Sequence, residues 1–143
     1  LILALDLAAA QKIIEAALAY ATEHKLKPLA VSVIDARGAL VAFAAQDGTS
    51  LKRGEIALGK ANGAVALGMG SRALMKRAEQ QAFFIAAAGA AIGGSLVPVP
   101  GGVLIKSAGA LLGAVGISGD TSDNDEAAAL AGIAAAGFDA DPG

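Results

Sequence analysis

The sequence predicts an α+β fold, an antiparallel sheet with helices packed against it. Two hairpin signals and the helical patterns around them carry this expectation. Apolar runs at residues 29–35 and 39–45 flank Asp35-Ala36-Arg37-Gly38, where Asp bonds back to the backbone and Gly supplies the positive φ that re-enters a hairpin. A second pair, 103–107 and 110–118, flanks Ala108-Gly109. Hairpins make antiparallel sheets, and amphipathic helices must bury their stripes on them. At 143 residues the chain reads as one domain, 1–143, long enough for a real core.

Asp6 is the expected N-cap of the first helix. Leu7, Ala10, Ile13-Ile14, Ala17-Leu18 and Ala21 then recur at helical spacing. Lys25 and Lys27 suit the C-terminal dipole near His24, and Pro28 forbids continuation. After the first hairpin, a loop at 46–50 leads into a helix over about 51–67, with Thr49 or Ser50 as its cap. Gly59 and Gly63 share a face of that helix. Something packs close to its backbone there: the sheet, a neighbouring subunit or a flat ligand.

Ser71 is the expected cap of a short helix over 72–80, and a further helical piece runs over 81–91 until Gly93-Gly94 ends it. From Ala82 to Ile105 no residue is charged, a span long enough for a bilayer. Glycines and two prolines break it, so a buried helix, a loop and a strand are expected instead. Pro98 and Pro100 fit the chain entering a strand. Gly113 and Gly116 inside the last strand mark a bulge or a close approach by other groups. Gly119-Asp120-Thr121 breaks that strand, and Ser122 or Asp123 caps a final helix reaching about Ala136, with Ala128, Leu130-Ala131 and Ile133-Ala134 buried. The tail from Phe138 is expected to fray.

Composition removes several functions. The net charge is −2, the basic residues are scattered and aromatics are scarce, which argues against nucleic-acid binding. There is no Cys and only one His, so neither a thiolate nor a multi-histidine metal site can form within one chain. A Ser-His-Asp triad would need His24 far from Ser118 in sequence, and no G-x-x-x-x-G-K-[ST] is present. No membrane span is expected. Leu1 to Leu5 is apolar, but Asp6 interrupts it and no basic n-region precedes it. A cytoplasmic location is expected, with a secreted or periplasmic chain that has lost its leader as the alternative. The high apolar fraction with few large side chains to hide it points to a homo-oligomer.

The run P-G-G-V-x-I, a turn, then G-A-V-G-I-S-G-x-x-x-x-x-D, within Val97 to Glu126, resembles the signature of the GlcG/HbpS-like family, which includes the C-terminal domain of PduO-type proteins. Val33-Ile34-Asp35-Ala36-Arg37-Gly38 resembles the family's V-V-D-x-x-G hairpin, and Glu55-Ile56-Ala57-Leu58-x-Lys60-Ala61 after Asp47-Gly48 resembles its second helix. The likeness spans roughly residues 6 to 137. It implies a profilin-like, five-stranded antiparallel sheet between helical layers, commonly assembled into oligomers. The chain departs from the family pattern at Ala45-Gln46, where an Arg is common, at Arg53, where Ser is common, and at Asn62-Gly63, where Arg-Thr is common. Charges around any pocket are therefore rearranged.

Three functions follow as expectations. The first, which the resemblance implies for some relatives, is binding of a small ligand such as haem or another tetrapyrrole. Haem needs an axial ligand and an apolar slot. His24 is the candidate axial ligand, with Lys25 and Lys27 beside it for the propionates, and Lys60, Gly101 and Gly102 are further candidate cofactor contacts. The competing reading of His24 is a solvated residue ending its helix. The second is an enzyme of a catabolic pathway acting on a small carboxylate-bearing metabolite. Lys60 would be anion anchor or proton donor, and Glu55, Asp35 or Asp120 acid or base. A cation among small apolar residues either snorkels to solvent or points into a pocket; Glu55 would make the site structural by neutralising it. Asp35 reads equally as a turn former, and Asp120 stands where the final helix start could bind an anion or simply be capped. The third is an oligomeric assembly module with no ligand.

Overall fold

A computed structural model describes residues 3–143; the first two residues of the apolar Leu1–Leu5 run lie outside the described residues. Among the described residues five helices and five strands follow in the order α1 (Leu7–Glu23), β1 (Ala30–Asp35), β2 (Leu40–Ala45), α2 (Arg53–Leu67), α3 (Ser71–Gln80), α4 (Ala82–Ala91), β3 (Gly102–Ser107), β4 (Ala110–Ser118), α5 (Ser122–Ala135) and β5 (Asp139–Asp141). The sheet order is β2-β1-β4-β3-β5, and every neighbouring pair is antiparallel. This is the expected five-stranded antiparallel sheet flanked by helices. No helix among the described residues is long and apolar enough to cross a membrane.

Period-2 alternation sends the two faces of the sheet to different helices. Val31, Val33, Val103, Ile105, Val115 and Ile117 build the larger core with α1 and α5. Ile34, Leu104 and Ala114 build a smaller one with Ala61 and Ala64 of α2. Both expected hairpins form, with Ala30 opposite Ala45 and Val103 opposite Val115. In the first turn the Asp35 carboxylate accepts from the Arg37 and Ala39 amides at 2.9 and 3.0 Å, and Gly38 sits at φ 86°.

The first helix begins as expected, with Asp6 Oδ1 accepting from the Ala9 amide at 2.8 Å. Several other termini differ from the expectation. Neither Thr49 nor Ser50 caps α2; it starts after Lys52 with no side-chain cap. Ser71 lies inside α3, and its buried hydroxyl accepts from the Gly102 amide at 2.7 Å instead of closing a helix end. Thr121 caps α5, where Ser122 or Asp123 was expected, its hydroxyl accepting from the Asn124 amide at 3.2 Å. The buried stripe of α5 is Asp125, Ala128, Ala129, Gly132 and Ile133: Ala128 and Ile133 are buried as expected, whereas Leu130 and Ala131 are half-buried and Ala134 is exposed. Gly132 sets the phase: a Cβ there would stand 2.5 Å from the Ile13 carbonyl oxygen, so α1 lies against that face. The expected frayed tail instead forms β5, which pairs with β3 (Ile105 opposite Ala140). The expected buried helix at 82–91 is the reverse: Ile85 is the one buried residue of α4.

What places α2 on the sheet is a pair of strand glycines. Gly102 and Gly116 are register partners in β3 and β4. A Cβ on Gly102 would collide with the Lys60 carbonyl, and one on Gly116 with the Ala57 carbonyl. The backbone of α2 therefore rests directly on the sheet. The α2 glycines meet side chains of their own chain, Gly54 the Phe43 ring of β2 at 3.0 Å. Gly59 is covered by Val97 and Gly63 by Leu96, at 2.7 and 3.1 Å from where their Cβ atoms would be, so the chain's own 95–99 segment fills that side.

Gly116→Ala is expected to cost about 3 kcal/mol, the upper end of the overpacking range. Gly89→Ala, whose Cβ would meet only Leu96 at 3.9 Å, should be neutral or gain up to about 1 kcal/mol. Urea midpoints at constant m-value measure both; a Gly116→Ala midpoint equal to wild type would show that α2 is not seated this way.

Candidate functional site

Lys60 lies on the sheet-facing side of α2, and the bare backbone at Gly101 leaves a channel past the strand ends. A Cβ on Gly101 would come within 2.9 Å of Lys60 Nζ. The ammonium runs through this gap to donate to the Ile117 carbonyl at 2.9 Å and to Asp125 Oδ2 at 3.1 Å. Both side chains are buried, 3% and 1% exposed. The other carboxylate oxygen of Asp125 accepts from the Asp120 amide at 2.9 Å. The anion expected for Lys60 from outside the chain, or from Glu55, is thus supplied by Asp125. Lys60 lies beside strand 110–118 and Gly101-Gly102, but instead of lining a pocket for an outside anion it is buried with its charge met internally.

Burial pushes the Lys60 ammonium below its ordinary range; Asp125 opposes this, and the nearby Arg53 charge adds to it. Burial likewise pushes the Asp125 carboxyl up, against the pull of Lys60 and of the Asp120 amide. In both groups desolvation outweighs the partner, as expected for a buried ion pair. The folded pKa of Asp125 exceeds its unfolded value, so stability falls as pH rises across that interval. That of Lys60 lies below the ordinary lysine value of 10.5, so stability rises with pH across the interval ending there.

The remaining predicted residues are spread apart. Asp35 sits in the β1–β2 turn, where the Arg37 side chain, then the Ala39 and Arg37 amides, hold its carboxyl below the usual range. Asp120 accepts from the Lys27 amide at 2.8 Å and from the Thr121 amide and Asn124 side chain at 2.8 and 2.7 Å. Its carboxyl is lowered, most by the Asn124 bond and then by the two amides. Asp35 pairs with Gly113 while Asp120 follows Ser118, the partner of Ala30, so roughly 17 Å of strand separates them. Glu55 is exposed in the first turn of α2, 3.3 Å from Lys52.

His24 ends α1 and is exposed. Its ring stacks on Tyr20, centroids 3.8 Å apart. Its Nδ1 lies 3.0 Å from the Tyr20 carbonyl oxygen. A carbonyl only accepts, so Nδ1 is the donor of this bond, and in the neutral ring Nε2 is the nitrogen that carries the lone pair. Lys27, three residues on, is tied through its amide to Asp120, and Asp120 through its own amide to Asp125. The loop after His24 is therefore braced on the Lys60–Asp125 pair. His24's loop, Lys60, Gly101 and Gly102 gather at one end of the sheet, and Asp35 is at the other.

Two contiguous grooves run along the outer side of α2 and share Glu55 and Leu58. One, about 190 Å³, is walled by Ser32, Leu40, Phe43 and Gly54; the other, about 380 Å³, by Gly59 and the 93–97 segment. Arg53 does not enter either; it donates to the Ser118 hydroxyl at 3.1 Å. Sequence reasoning missed Asp125, Arg53 and the Ser71–Gly102 clasp.

The model of the family described as "Haem degrading protein HbpS-like" matches residues 5–134. The chain belongs to the HbpS-like family. Among solved structures, the PduOC:heme complex is 27% identical, with 96% of this chain and 98% of that one covered and a TM-score of 0.85. A double mutant of HbpS from Streptomyces reticuli is 28% identical over 92% of this chain and 86% of that one, with a TM-score of 0.79. Protein ORFY of Klebsiella pneumoniae, at 24% identity over 92% and 90% and a TM-score of 0.84, shares the fold. No curated protein matches.

In this HbpS-like chain, Lys60→Met should cost about 3–5 kcal/mol by leaving Asp125 buried and unpaired. The loss should shrink on acidification, as Asp125 takes up a proton instead. Lys60→Met/Asp125→Leu should be less destabilised than Lys60→Met alone. Guanidinium denaturation at two pH values reads all three; a Lys60→Met loss under about 1 kcal/mol would mean the pair is solvated.

Proposed function

We propose that this protein binds haem or a related tetrapyrrole, acts as a homo-oligomer, and holds the iron through His24. The observation that carries this is the state of the His24 ring. Stacking on Tyr20 and the Nδ1–H bond to the Tyr20 carbonyl fix both its tilt and its tautomer. A metal-ligating histidine is oriented in the same way, one ring nitrogen donating to a carbonyl while the other meets the metal. The residue is exposed, and Nδ1 is the ring nitrogen engaged by the Tyr20 carbonyl. The family and the similarity to the PduOC:heme complex support the ligand class.

Around His24 the chain provides cations for the carboxylates of such a ligand. Lys25 and Lys27 are exposed on the following loop, and Lys25 sits at φ 56° because the helix closes there with the Leu26 amide bonding back to the Ala21 carbonyl at 2.9 Å. Bound haem would supply the iron chemistry; this chain's part is to present Nε2, neutralise propionates and keep the loop in place through Asp120. A haem on an exposed ring has one face open to water.

Titrating hemin into the protein should give a shifted Soret band, and His24→Ala should weaken binding at least tenfold, a change of about 1.4 kcal/mol. A Soret spectrum and affinity unchanged in His24→Ala would remove His24 as the ligand. No Soret shift in wild type would remove the haem reading altogether.

A further inference from the structure

The least satisfied surface of the molecule is α4. All ten of its residues are apolar or glycine, yet only Ile85 is buried. Phe83 is 79% and Phe84 39% exposed. The two rings alone offer water on the order of 200 Å² of apolar surface, and exposed alanines extend the patch along the helix. Monomers rarely leave a contiguous apolar patch of more than a few hundred Å² uncovered. Another uncovered apolar region is the groove along α2, where Leu40 and Phe43 are 56% and 45% exposed. Within one copy α4 does not cover it: α4 packs on α3, and beyond that its Gly89 lies near Leu96.

The charges at the two surfaces are complementary. The grooves carry one charged residue, Glu55, whose partner Lys52 is itself 73% exposed in a pair that adds little. The charge on the α4 surface is Arg77, stacked 4.3 Å over the Phe84 ring. Among the described residues Arg77 has no carboxylate partner; it bonds to Gln81. One surface is thus apolar with an anion, Glu55, in it, and the other apolar with a cation, Arg77 of α3, stacked on it.

We propose that α4 of one copy docks across the α2 groove of a second, with Phe83 and Phe84 against Leu40, Phe43 and Leu58 and Arg77 meeting Glu55. Each copy has one helix and one groove, so the set closes either reciprocally about a twofold axis or head to tail in a ring. This rests on the homo-oligomer reading above and gives it a surface; it is independent of the ligand.

Sedimentation velocity across micromolar concentrations tests it. Wild type should be a dimer or larger. Phe83→Glu should be monomeric with an unchanged melting temperature, since Phe83 packs on little in its own chain, and Leu58→Glu should act from the groove side. Glu55→Arg and Arg77→Glu should each weaken association at least tenfold, and the double exchange should restore it to within about threefold. A monomeric wild type, including one that instead binds anionic vesicles, overturns both the oligomer reading and this surface. An oligomeric wild type whose Phe83→Glu and Leu58→Glu variants stay oligomeric overturns the surface alone. Monomeric variants with no rescue by the charge exchange overturn the pairing of helix with groove.

Discussion

The fold depends on the absence of two methyl groups. With Gly102 and Gly116 opposite one another, the carbonyls of Lys60 and Ala57 come down onto the strands, and α2 sits closer than side-chain layers would allow. That depth lets Lys60 reach past the strand ends to an acid on the far side of the sheet. Any Cβ at Gly101 would also meet the Ile117 carbonyl, 2.7 Å away, the group that accepts from Lys60. The ion pair then fixes the start of α5 through Asp120, and Asp120 fixes the loop after α1. One close approach therefore orders both helical layers and the loop carrying His24.

Such a pair does not add much stability for its own sake, because burial strains both charges. Its value lies in specificity of position. An ammonium with two fixed acceptors and a carboxylate with two fixed donors can be satisfied in one arrangement only, and any slip of α2 along the sheet leaves a charge unpaired. Small apolar residues such as those of α2 give little shape to resist that slip. The buried pair compensates for what an alanine- and glycine-rich interface cannot specify.

Strands, turns and most helix spans were legible because period and turn chemistry are local. The Asp35 turn, the Asp6 cap and both hairpins follow from residues within a few positions of each other. The site was half legible. Lys60 stands out as a cation on an apolar stripe, and the glycines show that something comes close. Its partner was readable only by noticing that Asp125 shares the spacing of Ala128, Ala129, Gly132 and Ile133, a carboxylate on a buried stripe. Two opposite charges on separate apolar stripes belong together, but the acidic run Asp123-Asn124-Asp125-Glu126 reads locally as helix-start chemistry and hides the one that turns inward. Caps were misplaced for a related reason. Ser71 has the right type for a helix start, and a contact thirty-one residues away with Gly102 claims its hydroxyl.

The two faces of the sheet have divided roles. The α1–α5 face holds the large residues of the core, with Gly132 drawing the helices together. The α2 face has a thin core of small residues and remains uncovered along its outer side, with α4 apolar and exposed beyond it. A chain this rich in alanine cannot bury its apolar surface with bulk; it must do so by bringing backbones together. Inside the subunit glycines achieve this at the sheet. Outside it the same economy leaves α4 and the groove beside α2 bare. The composition that makes the interior close-packed is therefore also what leaves apolar surface in water, because alanine and glycine give the chain little bulk with which to fold over it.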